Sequence, residues 1–213
     1  MRAAPSVLIL GIGNLLWADE GFGVRAVEAL HRLYNFPDNV TVMDGGTQGL
    51  HLIEPVRQAD ILVVLDAVDY GMQPGSLKLV HDRDVPMFLG ARKMSLHQTG
   101  FQDVLASADM LGDLPEHILL VGVQPEELED YGGSLRPVVK AQIPAALDHA
   151  LAYLAGYGIV ATRRTEPLPD TVTLSSPELS LATYETGRPS EAEAYRKGDA
   201  RVVFAKAGEG KPE

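Results

Sequence analysis

Ile61-Leu-Val-Val-Leu65, closed by Asp66, is the stretch from which the fold can be read. Five apolar residues run without alternation and stop at an acid. Such a run suits a strand covered on both faces, as in a parallel sheet packed between helices. Working outward, Val7-Leu-Ile-Leu-Gly11 is a first strand of the same kind. Val40-Thr-Val-Met43 is a second, ending at Asp44-Gly-Gly46. Between them Gly21–Tyr34 has helical spacing, with Val24, Val27, Leu30 and Tyr34 on one face. Asp19 is placed to cap that helix. A short helix is expected over Leu50–Arg57.

Nine residues separate Asp66 from the next strand-like run, Ser76–Val80. A parallel return needs roughly a dozen or more. The fourth strand is therefore expected to be antiparallel and at an edge. Phe101, Val104, Leu105, Ala108 and Leu111 mark a helix that Gly112 ends. Ile118–Val123 is a fifth strand, and a last helix covers Pro137–Ala155, kinked or broken at Pro144.

This alternation predicts an α/β fold. It is a three-layer α/β/α sandwich around a five-stranded, mostly parallel twisted sheet with one antiparallel edge strand. A strand order of 2-1-3-5-4 is compatible with the connections. Residues 1–160 form one such domain. From about Thr165 the chain turns to Pro, Ser, Thr, Glu and Gly without a sustained period. Residues 161–213 are thus expected to be a loosely structured or disordered extension.

The formal net charge is −11, a surface that repels phosphate backbones, so nucleic acid is not an expected partner. There is no cysteine, which removes disulfides and thiolate chemistry. Any metal must be held by histidine, carboxylate or carbonyl groups. No apolar run approaches the roughly 20 residues of a membrane span. A cytoplasmic protein without membrane insertion is the expectation.

In open α/β sheets, sites form at the carboxyl ends of the strands. Strand one leads to Asp19 and Glu20, strand two ends at Asp44, strand three at Asp66 and strand five at Gln124-Pro-Glu126. His97 lies at the start of the helix that feeds strand five, where Ser95 with Gln98, or Thr99 with Gln102, offers a capping box. A helix that feeds a parallel strand begins on the carboxyl edge, so His97 belongs with Glu20 and Asp66. One Glu, one Asp and one His make a mixed oxygen and nitrogen site for a divalent cation. Taken singly, Glu20 reads more simply as a capping acid and His97 as a surface residue. Asp66 is different, since a carboxylate ending a buried strand needs a partner. His31, His51, His81, His117 and His149 read as structural or solvent-facing. Gly11-Ile-Gly13 is no dinucleotide fingerprint, because Leu16 stands where the third glycine is needed.

Leu10-Gly-Ile-Gly-Asn-Leu-Leu-Trp-Ala-Asp-Glu-Gly-Phe-Gly-Val-Arg25 resembles the opening motif of the nickel–iron hydrogenase maturation endopeptidases. The likeness continues at Asp44-Gly-Gly-Thr47, Leu65-Asp-Ala67, Ser95-Leu-His-Gln98 and Leu120-Val-Gly-Val-Gln-Pro-Glu126. It covers about residues 5–156, and the long tail is similar to the uptake-hydrogenase type. The resemblance implies an endopeptidase that removes a short C-terminal peptide from the nickel-loaded large-subunit precursor. It implies Glu20, Asp66 and His97 as catalytic and metal-contacting residues, with nickel supplied by the precursor. It implies Asp44, Gly45, Gly46 and Thr47 as the substrate-recognition loop.

Two mechanisms stand open. The metal polarises the scissile carbonyl or a bound water. Alternatively it is only a handle, and Asp66 or Asp44 activates water as a general base. Two other functions use the same residues: a nickel-dependent chaperone that binds the precursor without cutting it, and a metal-dependent hydrolase of small peptides or nucleotides.

Overall fold

Side chains alternate across β1 (Val7–Ile12), and each set enters a separate core. Val7 and Ile9 join one core; Leu8, Leu10 and Ile12 join the other. A strand apolar on both faces demands cover on both faces, and the chain supplies it. In the computed structural model, residues 4–86 and 96–187 are described, with side chains over 4–86 and 100–187.

After β1 come α1 (Phe22–Leu33), a short β2 (Tyr34–Asn35), β3 (Val40–Gly46), α2 (Ile53–Arg57) and β4 (Ile61–Ala67). Then follow β5 (Leu77–His81), α3 (Leu96–Leu111), β6 (His117–Val123), α4 (Pro137–Lys140) and α5 (Ile143–Gly156). The chain continues through β7 (Thr162–Arg163) and α6 (Leu181–Gly187). The main sheet runs β3-β1-β4-β6-β5, which is the order 2-1-3-5-4 of the five main strands. β1, β3, β4 and β6 are parallel, and β5 lies antiparallel on β6 at the edge. The short link after Asp66 has this consequence, as expected.

α1 and α5 cover one face, with Phe22, Ala26, Val27 and Leu30 meeting Ala146, Leu147, Ala150 and Leu154. α2 and α3 cover the other through Val56, Phe101, Val104, Leu105 and Ala108. Fully burying an aliphatic side chain contributes about 1.5–3 kcal/mol, so these two layers hold the sheet. The last helix is broken where expected: α4 ends at Lys140, and α5 restarts with Pro144 in its first turn. Proline lacks an N–H there at no loss, because first-turn donors have no helical acceptor. Gly112 follows α3 with φ +77°, the left-handed stop that its position suggests.

One expectation is corrected. Asp19 does not cap α1. It sits in a 3-10 turn, Ala18–Gly21, and α1 begins after it at Phe22 without a side-chain cap. The described part of the C-terminal extension lies against α1, beginning with β7, which pairs antiparallel with β2.

Candidate active site

The carboxyl edge of the parallel strands is assembled by tight backbone contacts. Gly13 has φ +141°, and a Cβ there would lie 1.9 Å from the Glu20 carbonyl oxygen. Only glycine lets the loop after β1 fold back so that the Asn14 N–H donates to that carbonyl at 3.2 Å. Gly23, in the first turn of α1, is pressed between β1 and β4. A Cβ there would meet the Leu65 carbonyl oxygen at 2.0 Å and that of Ile12 at 2.3 Å. Together these contacts set Glu20 beside the end of β4, and the 3-10 turn packs directly on that strand.

Asp66 is the penultimate residue of β4, paired with Gly122 of β6, and only 2 % exposed. Leu65 and Ala67 on either side enter the core under α1, so Asp66 turns to the opposite face, towards α3. The first turn of α3 reaches that edge. A Cβ on Gly100 would touch Gly49 Cα at 3.4 Å, so the start of α3 rests on the 3-10 turn Gly49–Leu52 after β3. His97 lies three residues before Gly100, in the opening turn of α3. The structure therefore gathers the backbones of Glu20, Asp66 and His97 at one end of the sheet. The His97 side chain lies outside the described residues, as does the expected capping box around Ser95 and Thr99. Among the described residues no cluster of three or more His, Cys, Asp or Glu has metal-binding geometry.

Asp44 belongs to a different face. Val42 packs with the α1 core and Met43 with the α3 core, so Asp44 points towards α1. Burial pushes its carboxyl above the ordinary value, partly offset by a hydrogen bond from the Gly46 backbone and by Arg25. Gly45 faces inward, where a Cβ would strike Leu10 Cδ1 at 2.8 Å. Gly46 has φ +42° and is half-buried, with nothing closer to an added Cβ than Asp44 Oδ1 at 3.4 Å, and Thr47 is exposed. Of the two glycines, Gly46 presents the accessible backbone.

Sequence reading missed what holds the far side of the edge. Asp19 is fully buried, and its Oδ2 accepts the N–H groups of Glu126 and Glu127, each at 2.9 Å. Its Oδ1 accepts the N–H of Arg136 at 2.7 Å, while its own N–H donates to the Glu127 carbonyl at 3.1 Å. Gln124 is also buried. Its Oε1 accepts the N–H groups of Tyr70 (2.7 Å) and Met72 (3.1 Å), and its Nε2 donates to Asp69 at 3.0 Å. It thereby ties down the loop just past Asp66. The only signal was place, since both residues lie inside the recognised motifs.

Four large apolar residues stand exposed around this edge, each on the loop after a different parallel strand. They are Leu16 (39 %), Leu50 (63 %), Met72 (44 %) and Tyr131 (59 %). Trp17 and Tyr131 meet edge to face, their ring centroids 5.2 Å apart.

Comparison with known proteins agrees with this architecture. A family described as hydrogenase maturation protease matches residues 24–153. The hydrogenase expression/formation protein HupD of Thiocapsa roseopersicina is 61% identical over 203 residues, 95% of this chain and 92% of that protein. The hydrogenase 2 maturation protease of Escherichia coli K12 is 43% identical over 159 residues, 74% of this chain and 96% of that protein. The solved structure of the hydrogenase maturating endopeptidase HybD from E. coli superposes with a TM-score of 0.71 at 40% identity, covering 75% of this chain and 98% of the other. About a quarter of this chain thus has no room for a counterpart in the E. coli protein, whereas HupD is matched almost throughout.

Proposed function

Because the chain belongs to the hydrogenase maturation protease family, we propose that it cuts a short C-terminal peptide from the nickel-loaded precursor of a hydrogenase large subunit. One observation carries this reading: Glu20, Asp66 and the first turn of α3 with His97 share one edge of the sheet, although 77 positions separate the first from the last. Two carboxylates and an imidazole are a suitable donor set for a borderline cation such as nickel. The nickel arrives inside the precursor and belongs to the substrate.

In this proposal Glu20, Asp66 and His97 grip the nickel and so fix the scissile segment against the edge. A carboxylate takes the proton of the attacking water. Asp66 suits that role, since its position is fixed by the strand and by burial. Asp44 lies across the sheet and, with Gly45, Gly46 and Thr47, receives the substrate main chain, chiefly at Gly46, which is less buried than Gly45. The apolar rim of Leu16, Leu50, Met72 and Tyr131 suits a folded protein better than a small molecule. Among the described residues no helix is long and apolar enough to cross a membrane. The acidic, cysteine-free composition supports the cytoplasm as the compartment.

The test mixes purified protein with nickel-loaded and nickel-free precursor. Cleavage of the loaded form alone, lost in Asp66→Asn and His97→Ala proteins that remain folded, is the expected result. Normal cutting by both variants overturns the site. A stable complex with uncut precursor would instead favour the non-cleaving chaperone.

A further inference from the structure

β3 is an outer strand of the main sheet, and among the described residues only β1 pairs with it. Its inner side is fixed by register. The Val7 N–H donates to the Asn39 carbonyl at 2.9 Å. Successive residues of a strand turn their main-chain groups to opposite sides. Thr41 and Met43 therefore also bond β1, and Val40, Val42 and Asp44 face outward. Two of the outward groups are used locally. The Val40 N–H donates to the Pro37 carbonyl at 3.0 Å, and the Asp44 carbonyl accepts Gln48 Nε2 at 3.1 Å. The Val40 carbonyl, both main-chain groups of Val42 and the Asp44 N–H remain for a short ladder. Such an edge is a template for one more strand.

Both faces of this edge are built. Val40 and Val42 pack on the core under α1, and so does Leu174 of the extension, whose N–H donates to buried Glu28 at 2.9 Å. On the other face Thr41 and Met43 line a cavity of ≈ 410 Å³ together with Glu54, Pro55 and Gln58. A strand added to β3 would present alternate side chains to this cavity. The described lining has two acids, Asp38 and Glu54, and no Lys, Arg or His. Glu54 is drawn to Arg57 at 3.5 Å, whereas Asp38 is exposed and has no basic partner among the described residues. The cavity thus suits a basic side chain.

We propose that β3 is the docking strand for the C-terminal peptide cut from the precursor, which adds to it as an antiparallel sixth strand with a Lys or Arg side chain in the cavity beside Asp38. The identity of this occupant rests on the proposed function. β3 ends in the Asp44–Thr47 loop, so a chain received at that loop reaches the edge directly. Asp66 stands on β4, two strand spacings from β3, a gap of about 10 Å. About three extended residues span it. The apolar rim holds the folded body of the precursor at the carboxyl end of the sheet. The segment beyond the cut then runs down β3 towards its start, against the direction of the strand. Main-chain pairing supplies grip without reading sequence, and the cavity adds a choice of side chain.

The experiment uses the full chain, with nickel-free precursor and, separately, a synthetic peptide of its C-terminal extension as probes. Amide exchange at Val42 and Asp44 should be fast in the free protein and slow severalfold with either probe. The Thr41 and Met43 amides, already bonded to β1, should hardly change. Val42→Pro deletes one outward donor and spares the β1 ladder, the kind of place where an edge strand accepts proline. Thr41→Lys fills the cavity from an exposed position and leaves the main chain alone. In each variant KM for loaded precursor should rise about tenfold at nearly unchanged kcat, the scale of one or two net hydrogen bonds. Asp38→Asn should weaken peptide binding at low salt and matter less at high salt. Unchanged exchange at Val42 and Asp44 with both probes overturns the inference. So does slowing by the precursor alone, which assigns the edge to another part of the substrate. Slow exchange before any addition means that a second copy or the chain's own tail covers the edge, and overturns it as well. If loaded precursor stays uncut while the peptide still slows exchange, the proposed function fails and the docking strand stands.

Discussion

Asp19 and Arg136 lie 117 positions apart in sequence, yet the Asp19 carboxylate receives the Arg136 N–H at 2.7 Å. With Glu126 and Glu127 also bonded to it, this one side chain fastens the loop after β6 to the turn that carries Glu20. Replacing Asp19 by Ala strands three partly buried backbone donors. Each hydrogen bond to a charged group contributes about 1.5–3 kcal/mol, so a loss of roughly 3 kcal/mol or more is expected. Calorimetry should show a lower Tm for Asp19→Ala, and Asp19→Asn should recover only part of it, since an amide offers one acceptor oxygen.

The raised carboxyl of Asp44 makes a pH prediction with a definite sign. Its folded value lies above its unfolded value, so ionisation costs stability in the native state. That cost is absent well below the unfolded value of about 3.9 and grows as pH rises through the folded one. Asp44→Asn should therefore be more stable than the unsubstituted protein at neutral pH. The difference should shrink towards zero as the pH falls to about 4. Urea midpoints measured across this range check it, and a constant difference would contradict the burial argument.

Glycines at two places predict opposite outcomes. At Gly23 a methyl group would lie 2.0 Å from the Leu65 oxygen, and that neighbour is backbone that cannot move aside. Gly23→Ala should cost about 3 kcal/mol or more and separate Glu20 from Asp66. At Gly156, the last residue of α5, nothing lies within 4 Å of the added carbon. Gly156→Ala should leave stability unchanged or raise it by about 0.4–1 kcal/mol. Chemical denaturation of the two variants separates a close approach from a permissive helix end.

The exposed pair Arg32–Asp170 provides the contrast to buried Glu28. Its side chains are 38% and 53% exposed, so Asp170→Ala should change stability by less than about 1 kcal/mol. Glu28→Ala, which releases three donors at once, should cost clearly more. Thermal melts of both variants side by side decide this.

The sheet was legible because Val7–Gly11 and Ile61–Leu65 are apolar on both faces, and only a covered parallel strand uses such a pattern. Nine residues after Asp66 were enough to predict the antiparallel edge, and Pro144 to predict the break between α4 and α5. The place of Glu20, Asp66 and the start of α3 at the carboxyl edge followed from chain direction, and the joining of the three side chains in one site is a proposal. Asp19 was misread because a polar residue before a helix has a local explanation, whereas its partners lie over 100 positions away. The packing of residues 168–187 against α1 was unreadable for a related reason. Leu174 and Leu179 bind only through main-chain groups and Ser175 partly so, and such bonds leave no periodic trace in the side chains. Gly45 looked like its neighbour Gly46, and only the packing of Leu10 tells them apart.

The four rim residues come from four separate loops, while Asp44 and Asp66 beneath them are fixed by strands and Glu20 by a 3-10 turn. Under the proposed function, evolution can retune which precursor docks by altering Leu16, Leu50, Met72 or Tyr131 one at a time, without disturbing Asp44 or Asp66. A grafted loop from a relative is then a rational route to redirect the protease to another hydrogenase.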